Sequence, residues 1–305
     1  MKRFHRIVAV DALNGNVTDD AKARLRELSS APITFPADYP GDPADIVRRI
    51  GDADAALLSW QTPLTRETIE RLPGLRYVGV TATNTARIDM GAIADHAITL
   101  TNVAGYSEEP TAEWIFGELL ALARGSAGRS WRAQPVELFG KRLGIVGLGA
   151  VGQAVAQRAA AFGMATAYTS RTRRERLEGP VLHYVRDIED LLERSEIISL
   201  HTPPGLEAID RDMARRLPAD AIIVNTSIGQ PIAEEALAAW LSAGRGWLIL
   251  DETGGASYSD ALRGGPRVIT STDSGGHTAE ARERLSATVV DYSGPRNLDR
   301  ERGRL

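Results

Sequence analysis

Between residues 141 and 152 the chain reads Lys141-Arg142-Leu143-Gly144-Ile145-Val146-Gly147-Leu148-Gly149-Ala150-Val151-Gly152 and runs on into Ala154-Val155-Ala156. A short apolar run of strand length meets a glycine turn, and an alanine-rich stretch of helical composition follows. In that arrangement Gly147 allows the tight turn, Gly149 lets the backbone approach a diphosphate, and Gly152 lets the helix pack on the strand. Leu148, Ala150 and Val151 complete the cradle at the helix N-terminus, whose free N–H groups favour negative charge. A glycine turn between strand and helix is common by itself. The second apolar segment at 165–169, at the distance of the next strand, makes this one a dinucleotide-binding pattern.

The end of that second strand chooses between cofactors. About 20 residues after the cradle, an NAD-preferring site places an acid on the ribose 2′-hydroxyl. Here the chain has Ser170-Arg171-Thr172-Arg173-Arg174 and no acid. A hydroxyl and guanidinium donors suit a 2′-phosphate, because Arg meets phosphate oxygens in a bidentate way. The expectation is NADP(H) over NAD(H), with Ser170, Arg171, Thr172 and Arg173 at the phosphate, backed by Arg174. A solvated basic turn is the plain alternative.

The remaining composition excludes several classes of partner. The 305 residues, with 43% hydrophobic and 25% charged side chains, suffice for two domains with cores. There is no cysteine, so disulfides and thiolate metal sites are out, and no metal is expected; the count fits a reducing cytoplasm. No run approaches the ~20 apolar residues that span a bilayer. Net charge is −4 and the densest basic cluster is the one assigned to cofactor phosphate, which argues against nucleic acid; the dinucleotide reading goes with a small-molecule substrate.

Strand-like runs at 7–10, 55–60, 76–80 and 98–103 alternate with helical stretches at 20–28 and 65–72, and a Pro/Gly/Asp loop lies at 35–43. A longer helix is expected at 111–124. After the cradle the alternation resumes, with helices at 187–194, 210–217 and 233–242, strands at 196–200, 221–225, 247–250 and 268–270, and a last helix near 278–292. This pattern predicts an α/β fold of doubly wound parallel sheets.

Several ordered motifs together carry a resemblance: Thr81-Ala82-Thr83-Asn84-Thr85-Ala86-Arg87-Ile88-Asp89, Asn102-Val103-Ala104-Gly105, the cradle itself, Ala161-Phe162-Gly163-Met164, Leu200-His201-Thr202-Pro203, Asn225-Thr226 and Leu250-Asp251. Across nearly its whole length the chain resembles the D-2-hydroxyacid dehydrogenases, particularly the glycerate dehydrogenase and hydroxypyruvate reductase branch. The resemblance implies two Rossmann-like domains: a flavodoxin-like substrate domain from 1–110 and 279–305, and a dinucleotide domain at 111–278 inserted between. It implies a homodimer, and cofactor contacts at Thr202, Pro203, Thr226, Ser227, Asp251 and Gly275. Thr83, Asn84 and Arg87 fall on the substrate loop.

The positions that carry the family's chemistry are altered. The Arg that grips a 2-oxo acid carboxylate falls at Ile228, the Glu at Ala256, and the general-acid His at Asp273. A carboxyl holds a proton at neutral pH only where burial disfavours its charge. Asp273 is therefore read as a buried acid, as an ionised partner for an iminium, or as a mere cap of the turn before the last helix. His277 is a substitute acid or the start of that helix, and Tyr258 joins Ile228 as a residue expected to face the substrate. The reading is an NADP(H)-dependent oxidoreductase acting by hydride transfer on an atypical carbonyl or imine. The alternative is a catalytically inactive NADP(H)-binding sensor or partner protein.

Overall fold

Strand runs buried along their whole length require cover on both faces, and the chain supplies it with helices between consecutive strands. The computed structural model describes residues 4–294, which fall into two compact units. The first comprises the described parts of Met1–Tyr106 and Thr278–Leu305, the second Ser107–His277.

In the first unit β1 (Ile7–Ala9), α1 (Asp19–Leu28), α2 (Pro43–Ile50), β2 (Ala55–Leu58), α3 (Arg66–Glu70), β3 (Tyr77–Val80), α4 (Met90–Asp95) and β4 (Thr99–Asn102) build a parallel sheet in the order β1-β2-β3-β4. A parallel bridge from Phe4 to Ser29 adds one rung beyond β1. Counting that rung, the spatial order is the flavodoxin-like 2-1-3-4-5. Its helices start where short polar side chains satisfy first-turn N–H groups: Thr18, Asp42, Thr65 and Asp89 each accept from the residue three positions on. The second of these, α2, follows the Pro/Gly/Asp loop with Pro43 in its first turn, where a missing N–H costs nothing.

The second unit opens with α5 (Glu108–Ala123), which starts three residues before the expected boundary because Pro110 sits in the first turn, and continues through β5 (Arg142–Val146), α6 (Ala150–Ala161), β6 (Ala165–Thr169), β7 (Leu182–Tyr184), α7 (Ile188–Arg194), β8 (Ile197–Leu200), α8 (Arg211–Ala214), β9 (Ile222–Asn225), α9 (Glu234–Ala243), β10 (Trp247–Leu250), α10 (Glu252–Gly255), α11 (Asp260–Arg263) and β11 (Val268–Thr270). All seven strands are parallel, in the order β11-β10-β9-β8-β5-β6-β7. Numbered within the unit this is the doubly wound 3-2-1-4-5-6 order with a seventh strand at the edge, and the switch point lies between β5 and β8. The chain then returns to the first unit as α12 (Ala279–Ser293), which packs on α1 and buries Leu285, Val289 and Val290 with Leu25, Ile7 and Tyr77.

Among the described residues no helix is long and apolar enough to cross a membrane.

Candidate active site

The carboxyl ends of β5, β6 and β8 frame an open cavity of about 660 Å³ in the second unit. Its floor is the turn Gly147-Leu148-Gly149, where β5 gives way to α6. Gly147 has φ +95°, and a Cβ there would lie 2.1 Å from the His201 carbonyl oxygen, so no side chain is possible. A Cβ on Gly152 would lie 2.3 Å from the Gly147 carbonyl, which shows how closely α6 seats on the turn. Gly152 is thus a packing glycine, outside the cavity wall, as are exposed Ala150 and partly buried Val151.

The cradle fits the diphosphate of a dinucleotide. Nothing lies within 4 Å of where a Cβ on Gly149 would be, leaving room for a ligand against the backbone. Gly149 caps α6 without a side chain, and the first turn holds no acid, so the positive end of the helix is not neutralised. Thr202 adds a buried hydroxyl with no partner among the described residues.

The cavity wall continues through Ser170, Arg171, Thr172 and Arg174 after β6, then Arg186, Asp187 and Glu189 around the start of α7, and Thr202 and Pro203 after β8. Arg173 is absent from it. Its guanidinium makes two 2.8 Å bonds to Glu178 and lies 5.2 Å over the Tyr184 ring, so the expectation that it faces a phosphate is corrected. Arg174 and Arg186 stand there instead. Arg186 went unrecognised in the sequence because it stands 12 residues beyond the 170–174 turn, and only the fold brings it to the same cavity wall.

His201 also lines the cavity, its Nε2 2.8 Å from Ser199 Oγ. Burial pushes its pKa down to about 4, so the ring is neutral at physiological pH.

Further along the same sheet edge, β9, β10 and β11 end side by side, with Asn225 paired to Leu250 and Leu250 to Thr270. Ser227, Ile228, Asp251 and Asp273 follow these ends. Ser227 Oγ donates to the Leu200 carbonyl (2.9 Å) and accepts from Thr202 N–H (3.1 Å), tying the β8 and β9 loops together. Asp251 is buried and caps α10: one oxygen accepts from Gly254 N–H (2.7 Å), the other from Gly275 N–H (2.8 Å). Burial raises its pKa against those bonds. Asp251 thus fixes the 274–276 turn, and Gly275 sits against Trp114 of α5.

Two expectations for this edge are corrected. Asp273 is exposed, so it is not the buried group that one of its three readings required; its carbonyl accepts from Glu252 N–H at 3.2 Å. Tyr258 is buried, and its hydroxyl donates to the Ile232 carbonyl at 3.0 Å, so it serves the core and faces no substrate. Ile228 and Thr226 are partly buried and His277 is exposed.

In the first unit Thr83 Oγ1 donates to the Val103 carbonyl (2.8 Å), Asn84 Oδ1 accepts from Ala86 N–H (2.8 Å), and exposed Arg87 donates to the Gln61 carbonyl (2.6 Å). A neutral carbonyl leaves the Arg87 charge uncompensated at that contact.

Comparison with known proteins agrees with this geometry. The family model described as D-isomer specific 2-hydroxyacid dehydrogenase, NAD binding domain, matches residues 119–270. Glyoxylate reductase of Thermococcus litoralis is 30% identical over 270 residues, which are 80% of this chain and 81% of the relative. The chain belongs to the D-isomer-specific 2-hydroxyacid dehydrogenase family. Its second unit therefore carries the NAD(P)-binding domain of this oxidoreductase family. A second family member, glyoxylate reductase of Korarchaeum cryptofilum, is 34% identical over 221 residues, 67% of this chain and 66% of the relative. Among solved structures, an acyclic imino acid reductase (Bsp5) in complex with NADPH and D-Arg superposes with a TM-score of 0.80 at 26% identity, covering 98% of this chain and 97% of that one.

Proposed function

We propose that the protein is an NADP(H)-dependent reductase acting on an imine or carbonyl compound other than a standard 2-oxo acid. The observation that carries this reading is the carboxyl edge of the second sheet. There Ile228 follows β9 and exposed Asp273 follows β11, at the positions where the resemblance expects a guanidinium and an imidazole.

Ile228 gives a substrate carboxylate no counter-charge, and leaving such a charge unpaired in a desolvated site costs on the order of several kcal/mol. Asp273 offers negative charge, which favours a cation such as a protonated imine. When bound, NADPH supplies the hydride. The carbon of a protonated C=N group accepts it, and the nitrogen already holds the proton of the product amine. Reduction of a neutral carbonyl leaves an oxygen that needs a proton, and His277, four residues on, is the donor assigned here. At the ribose end Arg171, Arg174 and Arg186, with Ser170 and Thr172, supply donors for a 2′-phosphate. The likeness to an acyclic imino acid reductase solved with NADPH and D-Arg supports the NADPH and the C=N parts of the reading, and not the loss of a substrate carboxylate. A cytoplasmic homodimer belongs to the same reading, drawn from the family resemblance and the lack of cysteine.

The test is NADPH oxidation by the purified protein on two panels: imines formed from amines with aldehydes or ketones, and the 2-oxo acids glyoxylate and hydroxypyruvate. The expected kcat/KM is roughly 10²-fold higher for the best imine, and Asp273→Ala loses roughly 10²-fold on it. Efficient reduction of glyoxylate, at roughly 10⁴ M⁻¹s⁻¹ or above, contradicts the reading. Tight NADPH binding without turnover of any compound favours the sensor alternative.

A further inference from the structure

One group of polar contacts in the second unit, from the buried Tyr168 out to exposed Arg173, is not used by the cradle or by the reacting edge. The Tyr168 hydroxyl, at the end of β6, is fully buried. It accepts from the Arg174 backbone N–H at 2.7 Å and donates to Glu178 Oε1 at 2.9 Å. Glu178 is itself held by the two 2.8 Å bonds from Arg173, and that guanidinium keeps the Glu178 carboxyl below its usual pKa range. The Tyr168 ring packs against Tyr184 at 5.4 Å between centroids.

The bonds are directional. Glu178 accepts the phenolic proton, so the Tyr168 lone pairs turn toward Arg174, and the hydroxyl bridges the end of β6 to the far end of the 170–174 turn. Ser170, Arg171, Thr172 and Arg174 of that turn face the cavity, and Arg173 faces away.

We propose that Tyr168, oriented by Glu178, is a positioning residue that fixes the 170–174 turn for the cofactor's 2′-phosphate. This rests on the NADP(H) reading above. Arg171 and Arg174 then meet the phosphate with their backbone already ordered, so little conformational freedom is lost on binding. Arg173 is the anchor of the clamp and makes no phosphate contact.

The test is calorimetric binding of NADPH and NADH to the full-length protein. Tyr168→Phe and Glu178→Ala are each expected to weaken NADPH by roughly 3–10-fold while NADH changes less than about twofold. Glu178→Gln, which still accepts the phenolic proton, is expected to restore most of the discrimination. Arg173→Ala is expected to cost less than Arg174→Ala. The clamp is refuted if Tyr168→Phe weakens both cofactors equally, if Glu178→Gln behaves as Glu178→Ala does, or if Arg173→Ala costs as much as Arg174→Ala. Should Tyr168→Phe fail to fold, the Glu178 pair and the arginine pair still decide. A wild type that binds NADPH no better than NADH removes the parent reading, a result visible before any variant is made.

Discussion

At the scale of single residues, burial and partner decide what each side chain can do. His201 shows this most directly, because it lines the cofactor cavity yet is neutral. Its pKa, pushed down to about 4 by burial, lies below the ~6.5 of an unfolded chain, so the folded state binds fewer protons. Its contribution is therefore whole above pH 6.5 and is lost as pH falls toward 4. About 2 kcal/mol of stability is expected to disappear between pH 7 and pH 5 from this group alone. Denaturant unfolding at both pH values, in wild type and His201→Asn, measures it: the variant's curve is expected to be flatter, and an equal slope contradicts the assignment. The arginines show what composition conceals. Arg173 and Arg174 are adjacent and identical in type, and only the acceptor Glu178, five residues after Arg173, separates anchor from wall residue. Tyr258 was misplaced for a related reason, since nothing in its neighbours announces that Ile232 offers its hydroxyl an acceptor.

At the scale of elements, the strand–turn–helix at the cradle was legible because three glycines at fixed spacing have three separate steric reasons. Those reasons predict different phenotypes. Gly152→Ala puts a methyl 2.3 Å from a backbone carbonyl, so α6 must shift off the β5 turn. Roughly 1–3 kcal/mol of stability is expected to be lost, together with dinucleotide affinity. Gly149→Ala points into open space, so its expected stability change is small, about 1 kcal/mol or less, while NADPH affinity falls because the methyl occupies the cradle. Melting curves with and without NADPH separate the two; parallel losses in both variants contradict the account. The parallel α/β fold was legible for a similar reason, because buried runs such as Ile222-Ile223-Val224 alternate with helices. Some short elements were not, although β1 and β11 are as short and were read: β7 has three residues and α10 and α11 four each, and no apolar run marks them off. Arg186 could not be placed beside the 170–174 turn, because only the fold brings it there.

At the scale of the molecule, the described residues on either side of 107–277 form one unit and those between form the other, with α12 returning to α1. Seven parallel strands with a switch point between β5 and β8 put the β5–α6 glycine turn and the loops after β9, β10 and β11 at the same edge of one sheet. That placement follows from the fold. The features on which the proposed chemistry rests are local: arginines where a ribose acid is expected, an isoleucine and an aspartate where the resemblance expects guanidinium and imidazole. Cofactor choice comes first, since no hydride chemistry proceeds without it. Isothermal titration of the wild-type protein with NADPH and with NADH tests it most directly. The account predicts NADPH binding at least about tenfold tighter, the worth of roughly one charge-assisted contact to the 2′-phosphate. NADH binding as tight as NADPH, or no binding of either, would contradict it.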